Sequence, residues 1–87
     1  MGNAKMDLVA VVGKIDETLK NNPMPKRVRE GLAGIKEELS KKNQDAAIKI
    51  TSAIYALDEI ANDVNIPMHT KTILWDIISD LESLKGE

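Results

Sequence analysis

The sequence predicts an all-α fold, a four-helix up-and-down bundle built from two repeated helical hairpins. Two observations carry this. Apolar residues recur at spacings of three and four along four separate segments, and no stretch shows the alternating β-branched and aromatic residues of a strand. The chain also reads as one hairpin written twice. A shift of 42 positions places Asp16 and Glu17 on Asp58 and Glu59, Pro25 on Pro67, and Leu32, Ile35 and Leu39 on Leu74, Ile77 and Leu81. A lone hairpin cannot bury its apolar face, so two copies are expected to pack on each other as one helical domain over residues 1–87, with units at about 4–42 and 46–84.

Each element follows from its own residues. In the first, Asn3 can cap the start, and Leu8, Val12, Ile15 and Leu19 make one apolar face to about residue 20. The turn Asn21-Asn22-Pro23-Met24-Pro25 stops that helix, because proline disfavours α geometry in its predecessor. Pro25 at a first helical position then restarts the chain, and Val28, Leu32, Ile35 and Leu39 form the second seam. Gly31 and Gly34 weaken this helix by roughly 1 kcal/mol each relative to alanine, which predicts close approach of a neighbouring helix. Lys41 and Lys42 suit a helix C-terminus, and Asn43 or Asp45 the next N-terminus, so the link between hairpins is short.

The third helix, about 45–62, has Ala47, Ile50, Ile54, Leu57 and Ala61 on one face and Ile48, Ala53, Tyr55 and Ile60 beyond it. So wide an apolar arc predicts the most buried helix of the four. After Pro67 the fourth presents Leu74, Ile77, Leu81 and Leu84, with Ile73, Trp75 and Ile78 off the seam. Seams spaced three and four apart suit near-antiparallel packing at roughly 20°. A two-unit α-solenoid is the competing arrangement, but such arrays generally need at least ~3 repeats.

Residues 53–84 carry a resemblance to a known family. The run LDEIANDVNIPMHTKTILWDIISDLE, and within it Asn65, Ile66, Pro67, His69, Lys71, Thr72 and Trp75, resembles an archaeal family of short helical proteins known only as uncharacterised protein family 0147. PMPKRVRE at 23–30 is similar to that family's other proline-led helix start. The resemblance implies a four-helix bundle in an archaeal cytoplasm and supplies no catalytic or binding residue.

Composition narrows the function classes. The net charge of −2, with acids and bases interspersed, gives neither the field of a strong nucleic-acid binder nor an acidic tail. With no cysteine there is no disulfide framework, thiolate nucleophile or cysteine-held metal, which fits a cytoplasmic chain. The apolar run Leu8 to Val12 is too short for a signal core or a membrane span, and Met6 stands where a myristoylation signal wants Ser or Thr.

Enzyme readings find little support. The acids Asp16-Glu17 and Asp58-Glu59 could do general acid-base work, but counting around each turn sets Arg29 opposite Asp16 and Lys71 opposite Asp58, so hairpin clamps are expected. The one histidine, His69, lacks both the Glu-x-x-His spacing of a di-metal bundle and a second histidine four residues away, and reads as a first-turn surface residue. No cofactor fingerprint, phosphate loop or nucleophile elbow is present, so no catalytic residue, metal or cofactor is expected.

The expected function is therefore a small structural or protein–protein interaction module, meeting another protein or a second copy of itself. Its candidate interface is Trp75, Ile78, Tyr55 and Ile48, with the interior favoured for Tyr55 and Trp75 open between core and interface; in the second case Trp75 anchors a twofold homodimer through helices three and four. The alternative is a weak RNA- or ribosome-associated factor using the basic cluster Lys26, Arg27 and Arg29 at the start of helix two. Nucleic acid is disfavoured, since Tyr55 and Trp75 are the only aromatic residues available for base stacking.

Overall fold

The computed structural model describes residues 7–41 and 45–85, which form α1 (Leu8–Asn21), α2 (Lys26–Ser40), α3 (Ala46–Ala61) and α4 (Met68–Lys85). Among the described residues there is no strand. Each helix packs on its neighbours in sequence and α1 closes the ring against α4, most extensively where α3 meets α4. This is the up-and-down bundle that the two hairpins require.

The core is assembled from one stripe per helix. Val11 and Ile15 come from α1, and Val28, Leu32, Ile35 and Leu39 from α2. Ile50, Ala53, Leu57 and Ala61 come from α3, Leu74, Ile77 and Leu81 from α4, and Ile66 closes the last turn. Burial recurs at the 42-residue spacing: Val11 with Ala53, Ile15 with Leu57, Leu32 with Leu74, Ile35 with Ile77, and Leu39 with Leu81 are all interior. One equivalent pair differs in polarity. Val28 is matched by Thr70, equally buried, whose hydroxyl has no hydrogen-bond partner among the described residues.

The helix ends differ from the sequence reading by a residue or more. Asn3 lies outside the described residues, and α1 is capped by Asp7, whose carboxylate accepts from the Ala10 N–H at 2.9 Å. Pro25 is the residue before α2 rather than its first, with an extended ψ of 148°. Asp45 caps α3 through the Ala47 N–H at 2.9 Å, while Asn43 lies outside the described residues.

All three turns use one device. The Arg29 guanidinium donates to the Leu19 carbonyl at 3.0 Å, the Lys49 ammonium to the Leu39 carbonyl at 3.4 Å and to the Lys41 carbonyl, and the Lys71 ammonium to the Ala61 carbonyl at 2.8 Å. Each donor is the fourth residue of its helix, and each acceptor lies in the last turn of the helix before, except Lys41, which is the residue just after α2. A helical side chain leans toward its own N-terminus. A long cation at that position therefore reaches back across the turn to carbonyls that lack an intrahelical partner.

These bonds replace the expected acid-base clamps. Arg29 does not meet Asp16, because the non-helical stretch from Asn22 to Pro25 moves the fold point and brings Lys36 to Asp16 instead, at 2.8 Å. Lys71 passes Asp58 for the Ala61 carbonyl, and Asp58 is exposed with no ion pair among the described residues.

The glycines of α2 divide. A Cβ on Gly31 would stand 2.5 Å from Cδ1 of Ile60, so the expected close approach exists there. A Cβ on Gly34 would meet nothing within 4 Å, so the expectation fails at that position.

Lys49→Met should destabilise the fold by about 2 kcal/mol, since it strands carbonyls at the end of α2 that now accept from a charged donor. Urea unfolding followed by circular dichroism measures this. Thr70→Val should act in the opposite sense, raising stability by about 1 kcal/mol by removing an unsatisfied buried hydroxyl at the position its repeat partner fills with valine.

Candidate interaction surface

The four candidate interface residues all lie on the second hairpin but not at equal depth. Tyr55 is 69% exposed and Ile48 59%, both opposite the buried stripe of α3. The interior position favoured for Tyr55 is thus corrected. The stripe through Ile50, Ala53, Leu57 and Ala61 satisfies the core, and the rest of the wide apolar arc is left facing outward. α3 has more buried residues than any other described helix, Lys49, Ile50, Ala53, Leu57 and Ala61, as its wide apolar arc predicts. It has a fully interior face and an apolar outer face.

Trp75 is 47% exposed, whereas Ile78 is half-buried and packs against the core. Their side of α4 is fixed by neighbours. Lys71, one turn before Trp75, reaches the α3 carbonyl of Ala61, whereas Asp76 and Asp80 turn the other way to meet Lys14 of α1. Trp75 therefore stands on the flank of α4 nearest α3, at the edge of the surface that carries Tyr55 and Ile48. The residues 42 positions earlier, Gly13 and Ala33, are exposed too but small, so at these two positions the bulk belongs to the second hairpin, although Val9 of α1 is also an exposed apolar residue.

Around Ile48 and Ser52 the surface is hollowed on both sides. A trough of about 500 Å³ runs between α2 and α3, with Gly34, Ala53 and Ala56 along it and Glu30, Glu37 and Glu38 on its α2 side. A shallower hollow of about 330 Å³ lies among Ala47, Ile48, Thr51, Ser52 and Tyr55. Sequence periodicity alone gave no sign of the trough. The unexplained helix-weakening glycine at position 34 was the one available signal.

The basic cluster does not converge on a common point. Arg27 pairs with Asp63 at 2.8 Å, Arg29 is committed to the Leu19 carbonyl, and Lys26 stands 3.9 Å from Glu30. His69 is exposed in the first turn of α4. Glu17, Asp58 and Glu59 are exposed, and Asp16 belongs to an ion-pair network. Among the described residues no three metal-ligating side chains are grouped, and no helix is long and apolar enough to cross a membrane.

Two ion-pair groups stitch α1 to its neighbours. The Lys14 ammonium lies 2.6 Å from both Asp76 and Asp80, across the α1–α4 seam. Burial works against that charge, but the hydrogen bonds the ammonium donates to the two carboxylates and their field outweigh it and raise the lysine above its ordinary pKa. Hydrogen bonds from Lys36, across the α1–α2 seam, and from Lys20 hold the Asp16 carboxyl below the ordinary aspartate range.

A ring of four antiparallel helices with cation-capped turns and one apolar outer face defines a small helical-bundle protein. The chain belongs to the uncharacterised protein family UPF0147, whose profile matches residues 1–84. It is 36% identical over 78 residues to the UPF0147 protein of Methanocaldococcus jannaschii, covering 90% of this chain and 84% of that one. The relative from Thermoplasma volcanium is 39% identical over 70 residues, covering 80% of this chain and 79% of that one. The fold matches the crystal structure of the Thermoplasma acidophilum member with a TM-score of 0.82 at 36% identity, covering 92% of this chain and 95% of that one. A crystal structure of a protein of unknown function matches with a TM-score of 0.78 at 28% identity, covering 92% and 96%.

The two networks fix the sign of the pH response. A carboxyl with a lowered folded pKa contributes stability above its unfolded pKa and loses it as pH falls through the folded value. A lysine with a raised folded pKa contributes below its unfolded value and loses that as pH rises through the folded one. Denaturant midpoints measured across the pH range should therefore fall on both the acid and the alkaline side. Asp16→Asn should flatten the acid limb, and Lys14→Met the alkaline one.

Proposed function

We propose that this protein is a small protein–protein interaction module whose working surface is the outer face of α3, with Trp75 at its edge. The observation that carries the reading is a charge-free strip. From Ala46 to Tyr55 the exposed side chains are Ala46, Ala47, Ile48, Ser52 and Tyr55, in a chain of which 30% of residues are charged. The one lysine in the segment, Lys49, is buried and turned to the end of α2. On α2, by contrast, Lys26, Arg27, Arg29, Glu30, Glu37 and Glu38 are all exposed.

Depletion of charge around large apolar side chains is the compositional signature of an interface centre, and tyrosine and tryptophan are its commonest anchors. The strip does not hold the fold together, since its large side chains lie outside the core. Its sequence is therefore free to serve a partner.

A photo-crosslinking residue placed at Ser52 and another at Glu17, on the outer face of α1, separate the alternatives in extract of cells that express the protein. Discrete adducts should form from position 52 and not from position 17. Adding Tyr55→Ala should remove them, an anchor of this kind being worth about 2 kcal/mol of binding. Equal adduct patterns from both positions, or none from either, would count against the reading.

A further inference from the structure

We infer that the partner of this surface is a second copy of the chain, bound α3 against α3 in antiparallel fashion about a twofold axis passing between Thr51 and Ser52. The inference rests on the interaction-surface reading above and adds the identity of the partner. It begins from spacing. A twofold interface is self-complementary, so residue i must meet residue j while j meets i. On the outer face of α3 the order is Ile48, Thr51, Ser52, Tyr55, large at the ends and small in the middle. Reversed about its midpoint, that order sets Ile48 on the partner's Tyr55, Tyr55 on the partner's Ile48, and Thr51 and Ser52 on each other. The small central pair lets the two helices approach while the large pairs pack on either side.

Shape agrees with spacing. Ile48 and Ser52 border both hollows, the trough with Gly34 and Ala56 and the shallower one with Ala47 and Tyr55, so they form a ridge between two grooves. Two copies of a ridge flanked by grooves can interdigitate as helices do inside a bundle. The open position at Gly34, which no contact among the described residues explains, widens the trough that an approaching side chain would enter.

Charge and area also permit a like partner. Two copies of a chain with net charge −2 would repel if acids met at the centre, but the strip from Ala46 to Tyr55 holds no exposed charge. The exposed acids stand around it, Glu30, Glu37 and Glu38 along the trough and Asp45, Asp58 and Glu59 beyond its ends. A stable dimer needs roughly 1,000 Å² removed from water in total, about 500 Å² a side. Large side chains present about 150–250 Å² each when free, so at exposures of 59%, 69% and 47% Ile48, Tyr55 and Trp75 together offer roughly 350 Å². Ala46, Ala47, Thr51 and Ser52 bring the patch to that requirement.

The chain has no cysteine, which makes a sharp test available. Ser52→Cys places one thiol beside the axis on each copy, and Glu17→Cys places one on the outer face of α1 as a control. In purified protein at micromolar concentration under mild oxidation, Ser52→Cys should form covalent dimers on the order of 100-fold faster than Glu17→Cys, because an interface holds its thiols at millimolar effective concentration. Sedimentation should show a monomer–dimer equilibrium that Ile48→Glu with Tyr55→Ala weakens more than about tenfold, while circular dichroism and melting are unchanged. A protein that stays monomeric at millimolar concentration, with Ser52→Cys no faster than the control, overturns the self-partner. So does a dimer indifferent to Ile48→Glu and Tyr55→Ala. In either case, Tyr55-dependent adducts from position 52 in extract, with another protein, would leave the interaction-surface reading standing. Without such adducts both would fall together.

Discussion

The bundle depends on how its turns dispose of the carbonyls that a helix leaves open at its C-terminus. A link of four to six residues gives those carbonyls little chance of a backbone partner, and a helix end crowded by the next helix cannot rely on water alone. Here the fourth residue of each following helix supplies the donor: Arg29, Lys49 and Lys71. The arrangement also places a positive charge where the preceding helix dipole is negative, so the electrostatic and hydrogen-bonding requirements are met by one side chain. It fixes the angle at which each helix turns back on the last. Once three such corners are set, the apolar stripes of successive helices have few ways to face anything but each other.

This device explains why the carboxylate pairs were misread and the architecture was not. The apolar seams at spacings of three and four are a property of each helix alone, and they determine an antiparallel ring almost independently of how the turns are built. The acid-base assignment required the register between two helices. Register depends on the number of non-helical residues in the turn, which rise about 3.3 Å each instead of about 1.5 Å. Four such residues between Asn21 and Lys26 were enough to exchange Arg29 for Lys36 as the partner of Asp16. In the same way, Asn65 to Trp75 identified the family legibly, whereas the roles of Lys71 and Asp76 within that run required the packed structure.

The outer face was legible in part. A helix with more apolar residues than one seam can use must either be surrounded or leave some of them outside, and sequence alone does not say which. Four helices in a ring give each helix two neighbours and one side with none. Ile54 and Ile60 fall toward the neighbours and are half-buried against the core. Ile48 and Tyr55 fall on the third side and are exposed. The composition of α3 thus gave the surplus of apolar residues, and the ring geometry decided which of them were left exposed.

Repetition sharpens the meaning of that surplus. Duplicated hairpins are held to the same core requirement, and apart from Val28 and Thr70 the equivalent positions buried in both copies keep matching apolar residues at the 42-residue spacing. Surface positions carry no such constraint, so a difference between equivalent surface residues reflects what each hairpin meets outside. At one such pair Gly13 faces solvent in the first copy and Tyr55 in the second, and at another Ala33 is set against Trp75. Neither aromatic is needed to fill the interior, and both lie on the same hairpin, around a strip without charge. An exposed tyrosine and a half-exposed tryptophan leave apolar area in water with no return to the fold, while their small counterparts show that the fold tolerates much less. The asymmetry therefore supports the proposal that the second hairpin presents a surface as well as building the bundle.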